Sequence, residues 1–126
     1  MKTSSCKAKG RALQQKVRDL ILSTFPTLEP DDVRSVSMGA GGEDVQLSPA
    51  ARKLFNWSIE CKNVEKLNVW DAYKQASSNC PENSKPLLIF KRNHSKIMIC
   101  TEFDFFLKVI EENNLLKNTL NKNNPN

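Results

Sequence analysis

The stretch that most constrains the fold is Asn56-Trp-Ser-Ile-Glu-Cys-Lys62, because its side chains alternate strictly in character. Trp57, Ile59 and Cys61 fall on one face, and Ser58, Glu60 and Lys62 on the other. That is the period of two that a strand imposes. A strand with one apolar face must lie in a sheet whose apolar side is covered. Helical periodicity on either side supplies the cover: Leu13, Val17, Leu20, Ile21 and Thr24 upstream, and Val69, Tyr73, Ala76 and Cys80 downstream. The chain is therefore expected to form an α/β domain with a mixed central sheet flanked by helices.

Breakers and alternation place the remaining elements. A first helix is expected over residues 10–24, ended by Pro26 and Pro30. Residues 33–38 and 44–47 read as strands around the glycine-rich turn at 39–42. Ser48-Pro49 caps a short helix through Leu54, with proline at its first position. Residues 67–79 read as a helix, and 86–91 and 97–101 as strands joined by Arg92-Asn93-His94-Ser95-Lys96. Thr101 is expected to cap a last helix that turns Phe103, Phe106, Leu107 and Ile110 inward. Three segments result: a flexible basic N terminus (1–9), one folded domain (10–112), and a disordered tail (113–126) that contains seven asparagines.

A chain of 126 residues is large enough for one core. Its 39% hydrophobic and 26% charged residues are ordinary for a soluble protein. The 19 Lys and Arg against 14 Asp and Glu, a net charge of +5, favour a polyanionic partner. No apolar run approaches the roughly 18 residues of a membrane span, and Met1-Lys2-Thr3-Ser4-Ser5 opens no signal peptide. The expectation is a soluble cytoplasmic protein with no membrane partner, in the host cytoplasm if phage-encoded. Cys6, Cys61, Cys80 and Cys100 form no C-x-x-C pair and have no His at ligand spacing, which argues against zinc and for free thiols. His94 is the single histidine, so a mechanism that needs two within one chain is excluded. Beside Lys and Arg it reads as a solvated turn residue.

Asp44 follows the glycine-rich turn, and Glu60 and Lys62 share a strand face. Singly, these are turn chemistry and a half-wet strand. If the two strands are neighbours, both carboxylates converge on one hard cation. Mg²⁺ asks for one or two carboxylates, retained waters and substrate phosphate oxygens. A lysine on the same face could then orient the attacking water and neutralise charge that develops on the phosphorus oxygens.

Asp44 followed by Glu60-Cys61-Lys62 resembles the Asp…(Asp/Glu)-x-Lys signature of the PD-(D/E)XK nuclease superfamily, whose core order is α-β-β-β-α-β. Within it, the layout is most similar to archaeal-type Holliday junction resolvases and related small phage endonucleases. The similarity lies in a small basic chain, a first helix, a Ser-x-Gly-x-Gly loop from Ser37, the strand "SIECK", the helix "LNVWDAYKQA" and the strand "KPLLIFKR", and spans roughly residues 10–110. It implies that Asp44 and Glu60 bind Mg²⁺ or Mn²⁺, that Lys62 is the catalytic lysine, and that Gln75 is the glutamine many members carry on the next helix. Gln75 reads equally as part of a solvated face with Asp71 and Asn79. Two departures stand out. Glu43 occupies the place of the superfamily's proline, and Gln14-Gln15 that of a metal-binding glutamate in the first helix.

Counter-charges for a phosphate backbone are Lys7, Lys9 and Arg11, then Arg52 and Lys53, then Lys91, Arg92 and Lys96. Ser37 reads equally as a phosphate contact or a turn cap. The expected function is a metal-dependent DNA endonuclease acting on branched or four-way DNA as a homodimer, since symmetric cutting needs two sites. The alternatives are a sequence-biased or homing-type phage nuclease, a non-catalytic nucleic-acid-binding module, and a protein-interaction domain.

Overall fold

The computed structural model describes residues 2–36 and 41–123 of the chain. Ten elements follow in order: α1 (Lys2–Thr24), a 3-10 turn (Pro30–Asp32), β1 (Val33–Ser35), β2 (Val45–Leu47), α2 (Pro49–Leu54), β3 (Trp57–Asn63), α3 (Val69–Ser78), β4 (Lys85–Lys91), β5 (Met98–Cys100) and α4 (Phe103–Asn123). The five strands make one sheet in sequence order. Neighbours are antiparallel except β3 and β4, which run parallel with α3 as their connection. The expected α/β domain with a mixed sheet is observed.

The alternation along β3 sets the layers. Ile59 pairs with Leu87 and Cys61 with Ile89. These four join Leu13, Val17 and Ile21 of α1 in the main core. Leu13, Val17 and Ile21 recur every four residues, so α1 lays one apolar stripe along this face. On the opposite face Glu60 is level with Leu88. There α3 packs through Ala72 and Ala76, which are 5% and 1% exposed. Two alanines let the helix approach the sheet closely, and the carboxyl of Glu60 is buried as a result.

Local chemistry holds the connections. Ser48 caps α2 as expected, its Oγ accepting from Ala51 N at 3.1 Å, and it also donates to Asp32 Oδ1 at 2.6 Å. Arg18 of α1 donates through Nε to Val33 O at 2.8 Å and through Nη2 to Pro30 O at 3.1 Å, tying the helix to the start of β1.

Both ends of the chain differ from expectation. Residues 2–9, expected to be flexible, belong to α1. No breaker separates them from the anchored turns, and a single interior glycine costs only about 1 kcal/mol. Residues 113–123, expected to be disordered, continue α4. Asn costs at most about 0.7 kcal/mol per helical residue, and Leu115, Leu116 and Leu120 offset it with strong helix propensity. A third correction concerns the inward face of the last helix. Phe103, Phe106, Leu107 and Ile110 are 70%, 50%, 47% and 40% exposed. No described helix or strand makes more than slight contact with α4, so periodicity gave the stripe but not its cover. Thr101 donates to Pro86 O at 2.9 Å rather than capping the helix. Among the described residues no helix is long and apolar enough to cross a membrane.

Candidate active site

The site begins where the β2–β3 ladder ends. Val45 pairs with Ile59, and Asp44 N donates to Ile59 O at 3.0 Å. Two residues further along β3, the N–H of Cys61 would lack a strand partner on that side. Asp44 supplies it, its Oδ2 accepting from Cys61 N at 2.7 Å. A buried backbone donor must find an acceptor. The same bond fixes the carboxylate of Asp44 beside Glu60.

Glu60 is 3% exposed. Asn79, the C-cap residue of α3, donates through Nδ2 to Glu60 Oε1 at 3.3 Å. Lys62 Nζ lies 3.6 Å from Glu60 Oε2. Burial, and then the charge of Asp44, push the Glu60 carboxyl above its ordinary pKa, against the opposing pull of Asn79 and Lys62. Two carboxyl groups are thus held close enough to repel, with one partly buried ammonium beside them. Cys61 points away into the core, as expected, and burial raises its thiol pKa strongly.

Asp44, Glu60, Lys62 and Gln75 line one cavity of 540 Å³. Lys7 and Gly10 of α1, Gly41 and Gly42 of the loop, and Asn63 and Asn79 also line it. Gly42 has φ +90, in the region where glycine replaces other residues at low cost. Gln75 stands on the exposed rim.

A second cleft of 480 Å³ adjoins it and shares Asn63. Lys16 of α1, Lys91 at the end of β4 and Lys96 before β5 lie along it. Asn63 donates to Lys9 O at 3.2 Å, while its Oδ1 is buried without a partner between the two hollows.

The remaining assignments divide. Lys91 and Lys96 face this cleft, whereas Arg92 sits exposed at the hairpin turn and lines neither hollow. Ser37 lies outside the described residues. Arg52 is engaged elsewhere, in an ion pair with Glu43 and a 3.3 Å hydrogen bond to Ser84. The residue before Asp44 therefore anchors α2 to the loop. Of Gln14 and Gln15, the first is buried, accepting from Ser35 Oγ at 3.0 Å, and the second is exposed. His94 occupies the hairpin turn at φ 63, exposed as expected. Sequence reasoning missed Asn63 and Lys16. The only available signal was that Asn63 ends the clearest strand and Lys16 lies on the polar side of α1.

No protein-family profile, curated protein or solved structure matches the chain.

Proposed function

We propose that this chain is a metal-dependent DNA endonuclease of PD-(D/E)XK type, with branched DNA as its first substrate. The observation that carries the reading is the convergence of Asp44, Glu60 and Lys62 in one cavity beside a cleft lined by three lysines. A like-charged carboxyl pair with one member buried costs stability unless a cation compensates it, and Lys62 at 3.6 Å from Glu60 does so only in part.

The donor set suits a hard divalent ion. Among the described residues no group of three His, Cys, Asp or Glu gathers at one point. Mg²⁺ needs only one or two protein carboxylates, because water and substrate phosphate fill its other positions. Asp44 and Glu60 would hold it, and when bound it would polarise the phosphodiester and offset charge on the leaving oxygen.

The chain's own groups divide the rest of the task. Cys61 N–H and the Asn79 amide orient the two carboxylates. Lys62, 28% exposed in its side chain, reaches into the cavity to position water and to neutralise the phosphorus oxygens as they gain charge. Gln75 offers an amide at the rim to the same phosphate. Lys16, Lys91 and Lys96 hold the backbone beyond the scissile bond through phosphate contacts, which position DNA without reading its sequence. Among the described residues no separate sequence-reading element accompanies them, which favours recognition of DNA shape.

The test is incubation with supercoiled plasmid and with a synthetic four-way junction, with and without Mg²⁺. Cleavage that depends on Mg²⁺ and is fastest on the junction supports the reading. Junction binding without cleavage under Mg²⁺ or Mn²⁺ would instead make the chain a binding module. Cutting of linear duplex at one fixed sequence would keep the nuclease and remove the branched substrate.

A further inference from the structure

The C-terminal helix poses a question unrelated to the carboxylate cavity. Its first turn is anchored: Phe105 meets Trp57 edge-on with ring centroids 6.5 Å apart, and Lys85 Nζ lies 5.9 Å from the Phe105 centroid. Beyond that turn no described helix or strand packs along it. Leu116 and Leu120 are 65% and 63% exposed. A helix face this apolar and this exposed is a candidate contact surface for some occupant.

The spacing identifies one. Phe106, Val109, Asn113, Leu116 and Leu120 follow each other at intervals of three, four, three and four residues. This is the a–d seam of a two-stranded coiled coil, about 21 Å long at 1.5 Å per residue. With Phe106, Asn113 and Leu120 at a, the seam carries one asparagine at a central a position. An asparagine there meets its own copy only in a parallel, in-register pair, where the two amides bond each other. The flanks agree. Glu112 falls at g and Lys117 at the following e, five residues on, so each Glu112 faces the other copy's Lys117 and the pair carries two such contacts. In an antiparallel pair the same positions would set glutamate against glutamate and lysine against lysine.

We infer that α4 is a self-association surface, and that two copies of the chain pair through parallel α4 helices along the Phe106–Leu120 seam. The occupant is a second copy because both the polar layer and the charges are self-complementary.

Sedimentation velocity on the full chain tests this. Wild type is expected to dimerise at micromolar concentration. Leu116→Glu should give a monomer whose circular dichroism melt is otherwise retained. Glu112→Lys alone and Lys117→Glu alone should each dimerise about tenfold more weakly, as two favourable pairs become repulsive. An equimolar mixture of these two variants should form a heterodimer at least as readily as wild type forms its homodimer, and the doubly exchanged chain should recover wild-type affinity. A wild type that stays monomeric well above micromolar concentration would overturn the proposal. So would a Leu116→Glu chain that still dimerises, or charge variants that associate as wild type does without preferring each other. None of these outcomes depends on whether the chain cleaves DNA.

Discussion

The two faces of β3 are built from adjacent residues and obey opposite rules. On one, Ile59 and Cys61 pack with Leu87 and Ile89 against the apolar stripe of α1. On the other, Glu60 is as deeply buried as Ile59, 3% against 1%, yet carries a carboxyl group facing a second one. Burial on the first face is the source of stability. On the second it is a cost, offset in part by Asn79 and Lys62. A strand that places its least comfortable residue at its centre, beside an open cavity, marks a candidate functional site.

The largest effect should come from removing the carboxylates. Asp44→Ala or Glu60→Ala is expected to slow metal-dependent DNA cleavage roughly 10³-fold or more, the rate equivalent of about 4 kcal/mol of lost charge stabilisation. DNA binding should persist or tighten, since a negative charge near the phosphate is gone. Gel shifts run beside the cleavage assay separate the two. Near-normal turnover in either variant would reduce the polar face to a half-wet strand.

On the apolar face, Ile59→Ala should destabilise the fold by about 3 kcal/mol through the cavity it leaves. Phe106→Ala should cost less than about 1 kcal/mol within a single chain, because half its surface already meets solvent. Chemical denaturation at low protein concentration ranks the two.

The pH dependence of Glu60 sharpens the contrast. Its carboxyl pKa is raised in the folded chain, so the native state binds the proton more tightly than the unfolded state does. Stability from this group is present below the unfolded pKa and is lost as pH rises through the folded one. Glu60→Gln should therefore melt higher than wild type at neutral pH, with the advantage shrinking as pH falls from the raised folded pKa to the ordinary glutamate value. A lower melting temperature for Glu60→Gln at neutral pH would mean that Glu60 and Lys62 form a net stabilising pair.

The smallest effects belong to the lysine cleft. Each of Lys16→Ala, Lys91→Ala and Lys96→Ala should lessen the slope of log affinity against log salt by about 0.9, whereas Arg92→Ala should change it little. Fluorescence anisotropy across a salt series reads this directly.

The layering of the sheet and the candidate site rest on different kinds of signal. Strict alternation in β3 and four-residue spacing in α1 gave the faces, because each pattern has one geometric solution. The β2–β3 pairing that sets Asp44 beside Glu60 could only be assumed from sequence, because α2 separates those two strands. What stayed hidden was contact made at a distance along the chain. Glu43 and Arg52 could not be matched from sequence, nor could Asn63 be placed between two hollows. Neither could the stripe of α4 be recognised as uncovered, since Phe103, Phe106 and Ile110 show the same periodicity whether they meet a core or another chain. Asparagine content misled at the C terminus for a related reason: composition weakens a helix by tenths of a kcal/mol per residue and does not break it.

One paired measurement bears most directly on the claim that the polar face of β3 is kept for catalysis. Single-turnover cleavage of a four-way DNA junction by wild type and Glu60→Gln, with and without Mg²⁺, is recorded together with both melting temperatures. The account predicts that wild type cuts only with the metal, and that Glu60→Gln is at least as stable yet roughly 10³-fold slower. A Glu60→Gln chain that cuts at the wild-type rate, or a folded wild type that leaves the junction intact in Mg²⁺ and in Mn²⁺, would contradict it.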